Sequence, residues 1–535
     1  MKEKISNTIG FLLLGLCFVI SLGRIMTSSS SKSEKDGRIT IRIAHWQLEN
    51  GVRSTIDKIA EEYTKLHPNV KVEQLAIPES IYTNWLVTQL VGETAPDLIE
   101  IGLGMNDERM ARFFTPLTDL AIQANPYNNG TDLEGVPLRD TLFDGMEGGF
   151  MPSLLEYYSV PLSGASVRMF YNLDMLKQIT GSETLPATYE ELINLCQKAE
   201  AYAAVRNLPF VPIAGSKYNA PMIIKQLFFS QTQKMVEKLN PPGIFGEDFI
   251  RRADEFLQGR WSLDSEEVRS GFDLLHDLGK YMQPGFIQLQ RDDATLTFVQ
   301  QRSLIINTGS WDATGIRQQT KFRIGVASIP FPSPENPVYG KNTLGRISEA
   351  GVNGGVLFGI TRGTKNAGVA KDFLLFLTSR KMNQVWTEES GWIPSVIGTK
   401  VDPEVAPFLP LSDGYMPGFH PTLTDTFRNL ARLYSTNLYR LVGATGGTKA
   451  FLENIKPVYR NALIADLRHY RQVTLDISQR SDTQFGGLAW IAHTHPADVK
   501  AQERLDAIMQ SASMNDRKFY RTRLSLEKAT SHPAQ

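Results

Sequence analysis

Apolar residues between positions 39 and 101 follow two alternating spacings. Isoleucine occupies every second position from 39 to 43, which predicts a strand. Over residues 52–66 apolar side chains recur at steps of three and four, which predicts a helix that ends at His67-Pro68. Further strands are predicted near 70–72 and at 97–101, with a helix between them. This alternation is typical of an α/β sheet with crossover helices.

The middle of the chain shows the same alternation. Residues 160–171 are predicted to be extended, and short strands are predicted at 304–306 and 356–361. Residues 331–355 are rich in Pro, Asn and Gly and predict a loop. Helices are predicted at 173–179, 188–204, 265–282 and 367–378, and over most of the chain after about residue 424. The predicted fold class is therefore α/β with a helical end.

The N-terminus has the pattern of a secretory signal, because two lysines precede an uncharged apolar run at residues 9–22. Residues 1–26 are predicted to be a signal peptide or a signal anchor. Ser21-Leu22-Gly23 offers a cleavage site, whereas extension of the run to Met26 would favour an uncleaved anchor. Residues 27–38 are predicted to be a flexible tether. The mature chain is therefore expected in the periplasm or on the outer face of the cytoplasmic membrane.

Composition says more about the possible partners of the chain than about its fold. The chain has 535 residues, which is enough for two or three domains. Its formal net charge of −1 argues against nucleic acid as the main partner, since that would favour a strongly basic surface. Only Cys17 and Cys196 are present, so packing rather than disulfides must provide stability.

Six short patterns occur in a fixed order along the chain, and together they carry a resemblance to a known family. They are Ile43-Ala44-His45-Trp46, Ala95-Pro96-Asp97-Leu98-Ile99-Glu100-Ile101, Met169-Phe170-Tyr171-Asn172-Leu173-Asp174, Ile306-Asn307-Thr308-Gly309-Ser310-Trp311-Asp312, Phe358-Gly359-Ile360-Thr361 and Gly391-Trp392-Ile393-Pro394-Ser395. In this order the chain resembles the family 1 extracellular solute-binding proteins, the maltose-binding-like components of ATP-binding cassette importers.

The resemblance implies a two-lobe, type II periplasmic-binding-protein fold, with hinge-linked lobes and a ligand cleft between them. The first lobe would cover residues 39–160 and 356–390, and the second lobe 161–355 and 391–430. Residues 431–535 exceed the usual length of the family. They are expected to form a helical extension packed on the second lobe, and the resemblance gives them no role.

Candidate site residues follow from the chemistry of a pyranose, which needs flat aromatic faces and convergent polar groups. Trp46 follows the first strand at its C-terminal edge, where α/β sheets bind ligands. Trp311 resembles the family's stacking residue in the second lobe. Trp392 is predicted to face the ligand or to wedge the hinge. The other candidate ligand-binding residues are Gln47, Glu49, Asp97, Gly164, Ser166, Gly309, Ser310, Asp312, Asn353 and Gly354.

Several candidates have a purely structural alternative. Trp46 could anchor its loop in the core, and Gln47 and Glu49 could belong to a solvated loop. Asp97 and Asp312 could each cap a helix. These alternatives stay open at the level of the sequence.

The implied function is an extracytoplasmic carbohydrate receptor of an ATP-binding cassette importer. It would capture a sugar in the cleft, close around it and deliver it to the permease subunits. The chain is expected to be a monomer without cofactor, metal or catalytic activity. A membrane-anchored solute-binding sensor or docking protein remains an alternative, followed by a polyol-phosphate binder or an enzyme such as a glycoside hydrolase.

Overall fold

The structure is a computed structural model that describes residues 37–49, 51–102, 105, 107–151, 154–239, 249–351, 354–423, 427–443 and 445–531. The predicted signal segment, most of the tether and the candidate Asn353 lie outside the described residues.

Strands and helices alternate over most of the chain, and the last elements are helices. The strands are β1 (Ile39–His45), β2 (Val70–Ala76), β3 (Leu98–Ile101), β4 (Phe150–Met151), β5 (Glu156–Tyr157), β6 (Val160–Ser163), β7 (Val167–Asn172), β8 (Val211–Ala214), β9 (Ser303–Gly309), β10 (Ile324–Ala327) and β11 (Gly355–Ile360). The helices are α1 (Val52–Leu66), α2 (Glu79–Val91), α3 (Asp107–Phe113), α4 (Thr118–Ala121), α5 (Leu173–Thr180), α6 (Tyr189–Arg206), α7 (Asn219–Gln231), α8 (Gln233–Leu239), α9 (Phe249–Leu257), α10 (Glu266–Gly279), α11 (Arg291–Val299), α12 (Ala313–Gln319), α13 (Ala367–Leu377), α14 (Arg380–Ser390), α15 (Arg428–Val442), α16 (Thr448–Thr494) and α17 (Val499–Ser531).

The first sheet has the strand order β2-β1-β3-β11-β6. Strand β1 pairs in parallel with β2 and β3, while β11 runs antiparallel to β3 and β6. Apolar residues of α1, α13 and α14 pack on this sheet in one buried cluster. We call this sheet with its helices the first layer.

The second sheet has the strand order β10-β7-β9-β8, in which β7 is antiparallel to both of its neighbours and β8 is parallel to β9. Helices α6, α7 and α10 contribute to the buried cluster on this sheet. We call this sheet with its helices the second layer. Two α/β layers, each with its own core, agree with the fold class predicted from the sequence.

The chain passes between the layers at three places. Residues 164–166 connect β6 to β7, and a long irregular segment connects β10 to β11. The third passage follows α14, where Trp392 and Val396 belong to the first cluster and Ile393 packs with the second layer. The sequence assigned residues 391–430 to the second lobe, whereas the start of this segment contacts both layers.

The C-terminal helices share the core of the second layer. From α16, Phe451, Leu452, Ile455 and Tyr459 are buried in the same cluster as the helices of that layer. Helices α16 and α17 pack along each other, and α17 also contacts α9. No helix among the described residues combines the length and the apolarity needed to cross a bilayer.

Candidate functional site

A cavity of about 210 Å³ lies between the two layers. It opens where β1 and β9 end, and the C-terminal ends of strands are where α/β sheets bind ligands. We call it the interlobe cavity. Its lining residues are Trp46, Gln47, Glu49, Glu79, Gly164, Ala165, Tyr218, Arg291, Ser310, Trp311, Gly355, Val356 and Trp392.

The wall on the first layer is built around a buried carboxylate. Glu100, on β3, is fully buried and accepts a hydrogen bond from the backbone N–H of Trp46 at 3.1 Å and another from the amide of Gln47. Burial raises the pKa of Glu100 to about 8, although both hydrogen bonds act to lower it. The ring of Trp46 meets Tyr82 edge to face at 4.9 Å. Gln47 is thereby held by the wall, and Trp46 is fixed in orientation.

The wall on the second layer is aromatic. The indole N–H of Trp311 donates to the hydroxyl of Tyr218 at 3.1 Å. A Cβ at Gly309 would lie 2.2 Å from the Trp311 ring, so glycine is required there for this ring position. Gly309 and Trp311 were both candidate ligand-binding residues; the structure shows the ring packed on the glycine, and their contact with a ligand stays a prediction.

Arg291 connects the two walls. Its guanidinium pairs with Asp312, lies 3.6 Å from a carboxylate oxygen of Glu49 and sits over the ring of Tyr218 at 4.8 Å. Burial lowers the pKa of Arg291, but Asp312, Tyr218 and Glu49 together raise that pKa by more, so the group stays charged. Burial also raises the pKa of Glu49. One cation therefore faces carboxylates from both layers.

The alternative role of Asp312 as a helix cap is not what the structure shows. Its carboxylate makes no capping hydrogen bond to α12 and instead accepts from the hydroxyl of Thr308 as well as from Arg291. Asp312 does not line the interlobe cavity itself and is connected to it through the lining residue Arg291.

Small residues form the floor between the layers. The backbone N–H of Gly164 donates to Ile393 at 2.9 Å, and a Cβ on Gly164 would lie 2.8 Å from the Ile393 side chain. The hydroxyl of Ser166 donates a hydrogen bond to the carbonyl of Phe408 at 2.7 Å. The carbonyl of Ser166 accepts a hydrogen bond from the backbone N–H of Ser310. Ser166 therefore fixes the floor rather than lining this cavity.

Trp392 lies between the layers, and both of its predicted roles stay open. It lines the interlobe cavity, yet it is only 5% exposed and packs edge to face on Trp386 at 6.0 Å. Helix α14 ends at Gly391 in the left-handed conformation (φ 72°), which turns the chain so that Trp392 enters between the layers.

Two predicted residues are placed elsewhere. The carboxylate of Asp97 accepts from the backbone N–H of Arg42 at 2.8 Å and from the hydroxyl of Thr364, and Asp97 does not line the interlobe cavity. Gly354 donates its N–H to Asp144 at 2.8 Å, and the neighbouring Gly355 lines the cavity in its place.

Sequence analysis missed three lining residues with polar side chains, Glu79, Tyr218 and Arg291. Tyr218 follows the end of β8, the same kind of position that pointed to Trp46, so its place after a buried strand could have identified it. Arg291 and Glu79 begin helices α11 and α2, and nothing local in the sequence marks them as facing a cleft.

A second cavity of about 530 Å³ lies beside the interlobe cavity. Ala165 and Trp311 line both cavities. Phe229, Phe331 and Arg346 are among the other residues that line the second one. Trp311 thus belongs to the walls of two neighbouring cavities.

Two α/β layers with a cavity between the carboxyl ends of their strands define a bilobal binding-protein fold. The profile of the family described as bacterial extracellular solute-binding protein matches residues 58–406. The chain belongs to this family, as the six sequence patterns predicted. The family description places its members outside the cytoplasm.

A curated relative and solved structures agree with this assignment. The multiple sugar-binding protein of Streptococcus mutans serotype c is 22% identical over 413 residues, which cover 75% of this chain and 86% of the relative. The ligand-free RafE protein of Streptococcus pneumoniae has a TM-score of 0.53 at 16% identity, over 81% of this chain and 100% of that one. The GacH receptor of Streptomyces glaucescens, solved alone and with acarbose, has a TM-score of 0.53 at 16% identity, over 80% and 98%. These structures confirm the type II fold.

Proposed function

We propose that this chain is the carbohydrate-binding receptor of an ATP-binding cassette importer and that the sugar binds in the interlobe cavity. The observation that carries the proposal is the convergence of Trp46 and Trp392 from one layer with Trp311 and Tyr218 from the other on a cavity that also holds charged groups. Aromatic faces cover the C–H faces of a pyranose, and the charged groups accept from or donate to its hydroxyls.

The relatives support a carbohydrate rather than another solute. The names and titles of the matched proteins refer to multiple sugars, raffinose, acarbose and chitin oligosaccharide. Binding without chemical change is the corresponding activity, because these relatives are named as binding proteins or receptors.

Closure of the layers would complete the site. Trp46 and Glu49 come from the first layer, while Trp311 and Arg291 come from the second, so only a closed arrangement presents all of them to one ligand. A ligand that touches both sets shifts the open–closed equilibrium by its differential affinity for the closed form. The guanidinium of Arg291 in the second layer lies 3.6 Å from the carboxylate of Glu49 in the first layer. This distance supports a closed arrangement in which the attraction between these two groups helps to hold the layers together.

The ligand is expected to be longer than one ring. The interlobe cavity is smaller than the roughly 300–1,000 Å³ of pockets for drug-sized ligands, but it shares Trp311 with the larger cavity beside it. A short oligosaccharide could place one ring in the interlobe cavity and a further ring against Phe229 and Phe331. Delivery to a permease would follow export of the chain by its N-terminal signal.

Calorimetric titration tests the proposal. The chain from residue 37 onwards is titrated with mono-, di- and trisaccharides, with glycerol phosphate, amino acids and polyamines as competing classes. We expect saturable binding of one saccharide class and recovery of the sugar unchanged. Trp311→Ala should weaken that binding at least tenfold, which is about 1.4 kcal/mol, and Trp311→Phe should weaken it less because a flat face remains.

The matched control is Trp490→Ala, since Trp490 is 66% exposed on α16 and lines none of the cavities described above. It should bind the sugar as the unchanged chain does. Binding of another solute with no saccharide bound would overturn the substrate class. Equal affinity in Trp311→Ala, with an unchanged thermal midpoint, would move the site away from the interlobe cavity.

A further inference from the structure

The ionisable groups at the interlobe cavity are mostly acidic. Glu49 and Glu79 line it from the first layer, and Arg291 is the one basic side chain among its described lining residues. Asp312 stands next to the cavity and is bonded to the guanidinium of Arg291. Three carboxylates thus face one guanidinium, which leaves an excess of negative charge for a ligand to complement.

Arg291 is already provided with partners. Its guanidinium is bonded to Asp312, lies 3.6 Å from a carboxylate oxygen of Glu49 and sits over the ring of Tyr218 at 4.8 Å. A cation that faces two carboxylates has little attraction left for an acidic ligand, because their fields oppose the approach of another anion. The single basic side chain therefore does not make this a site for acidic sugars.

Glu79 is the acidic lining residue that has no cation of its own. It is the first residue of α2, it is exposed, and it forms no hydrogen bond or ion pair within the described part of the chain. Burial is the main reason that the pKa values of Glu49, Glu100 and Tyr218 are raised, and the negative charge of Glu79 adds to all three. The Glu79 carboxylate therefore acts on both walls of the cavity and is open to a ligand.

The aromatic walls favour the same sign of ligand charge. Trp46, Trp311 and Trp392 line the cavity together with Tyr218. The face of an aromatic ring attracts a cation, most strongly for tryptophan, and Tyr218 already serves the guanidinium of Arg291 in this way. Carboxylates and aromatic faces thus both complement a positive charge on the ligand.

We propose that the interlobe cavity selects a saccharide that carries a protonated amino group. This inference rests on the proposed function and names the class of sugar. The ammonium group lies beside the carboxylate of Glu79 and within the field of Glu49, while the apolar faces of the ring lie against the tryptophans. A hydrogen bond between two charged groups is roughly twice as strong as one between neutral groups, so the amino group distinguishes this ligand from a neutral sugar of the same shape.

Calorimetric titration at pH 7 with matched sugars tests this inference. The probes are glucosamine and its β-1,4-linked dimer, compared with glucose, cellobiose, N-acetylglucosamine and glucuronic acid. We expect an amino sugar to bind at least tenfold more tightly than its neutral counterpart. N-acetylglucosamine should behave as a neutral sugar because acetylation removes the charge. The preference should shrink as salt is added, since salt screens the attraction at the exposed Glu79 carboxylate.

Glu79→Gln should lower the ratio of glucosamine affinity to glucose affinity about fivefold. Glu93→Gln is the matched control, because Glu93 is exposed just beyond the other end of α2 and does not line the cavity. It should leave the ratio unchanged.

Three results would overturn the inference and leave the sugar receptor standing. They are a neutral saccharide that binds as tightly as the amino sugars or when none of them binds, tighter binding of glucuronic acid, and an amino-sugar preference that Glu79→Gln does not reduce. Absence of binding by every saccharide would instead remove the proposed function and this inference together.

Discussion

Two buried ionisable side chains near the interlobe cavity, one in each layer, are held in opposite ways. Glu100 supports Trp46 and Gln47 through hydrogen bonds from neutral groups, and no described cation pairs with it. Arg168, on β7 next to the floor of the cavity, is also fully buried, but it forms two bonds to Glu349, at 2.7 and 2.9 Å, and donates to backbone carbonyls.

This difference determines what each buried group depends on. A buried acid without a counter-ion favours its neutral form, so the first wall is expected to change near the raised pKa of Glu100. The guanidinium of Arg168 depends instead on the geometry of its two bonds to Glu349.

The largest effect is expected from Arg168→Met. The change leaves Glu349 and several carbonyls without their donor, and breaking such a buried pair costs about 3–5 kcal/mol. Urea unfolding of the chain should show a lower free energy of unfolding. Arg323→Met is the matched control, because Arg323 is also paired with carboxylates, those of Asp174 and Glu183, but at the surface, where pairs contribute little. Equal losses in the two variants would show that burial of the Arg168 pair makes no difference to its contribution.

The next effect concerns pH and Glu100. The pKa of Glu100 is about 8 in the folded chain and 4.5 for an unperturbed glutamate, as in the unfolded chain. Between these pH values the carboxyl is therefore protonated in the folded state and ionised in the unfolded state. Stability from this group is therefore present at low pH and is lost as the pH rises towards 8, by up to about 1.4 kcal/mol for each pH unit. Glu100→Gln, which mimics the neutral acid, should lose this dependence.

The quantity to compare is the difference in unfolding free energy between Glu100→Gln and the unchanged chain at pH 5 and pH 7.5. His45 and His420 have lowered pKa values and give a slope of the opposite sign in both proteins, so they cancel in the difference. The variant should gain relative stability as the pH rises. A difference that does not change with pH would show that the carboxyl of Glu100 is ionised throughout.

These buried groups also show what the sequence could and could not predict. The spacing of apolar residues predicted strands on both sides. Trp46 became a candidate through its position after a strand, and Trp311 through its resemblance to the family's stacking residue. The sequence did not predict that Gln47 would turn back onto Glu100, because that contact depends on the packing of β1 beside β3. Arg291 was missed for the same reason, since its partners Glu49 and Asp312 are distant along the chain or in another layer.

A smaller effect is expected where the two walls meet. Glu49→Gln removes the charge that faces Arg291 across the cavity while Asp312 still holds the guanidinium. A partly exposed pair of this kind contributes about 1 kcal/mol at most, so sugar affinity should fall about fivefold. Small-angle X-ray scattering of the ligand-free chain should show a larger radius of gyration.

The control for this contact is Glu389→Gln, which removes the partner of Lys58 within the first layer. That variant should change neither the radius of gyration nor the affinity. An unchanged radius in Glu49→Gln would mean that the charges across the cavity do not hold the layers together.

The smallest effect is expected from a change at Asp97, which tests whether this residue of the first sheet contacts the ligand or only stabilises the sheet. Asp97 was a candidate ligand residue in the sequence, but its carboxylate binds Arg42 and Thr364. Asp97→Asn keeps the shape and weakens these bonds, so the free energy of unfolding should fall by about 1 kcal/mol while sugar affinity stays within about twofold. Thermal unfolding and calorimetric titration of the same sample measure both quantities. A tenfold loss of affinity at unchanged stability would instead place the ligand against the start of β3, and the first wall would then extend beyond Trp46 and Gln47.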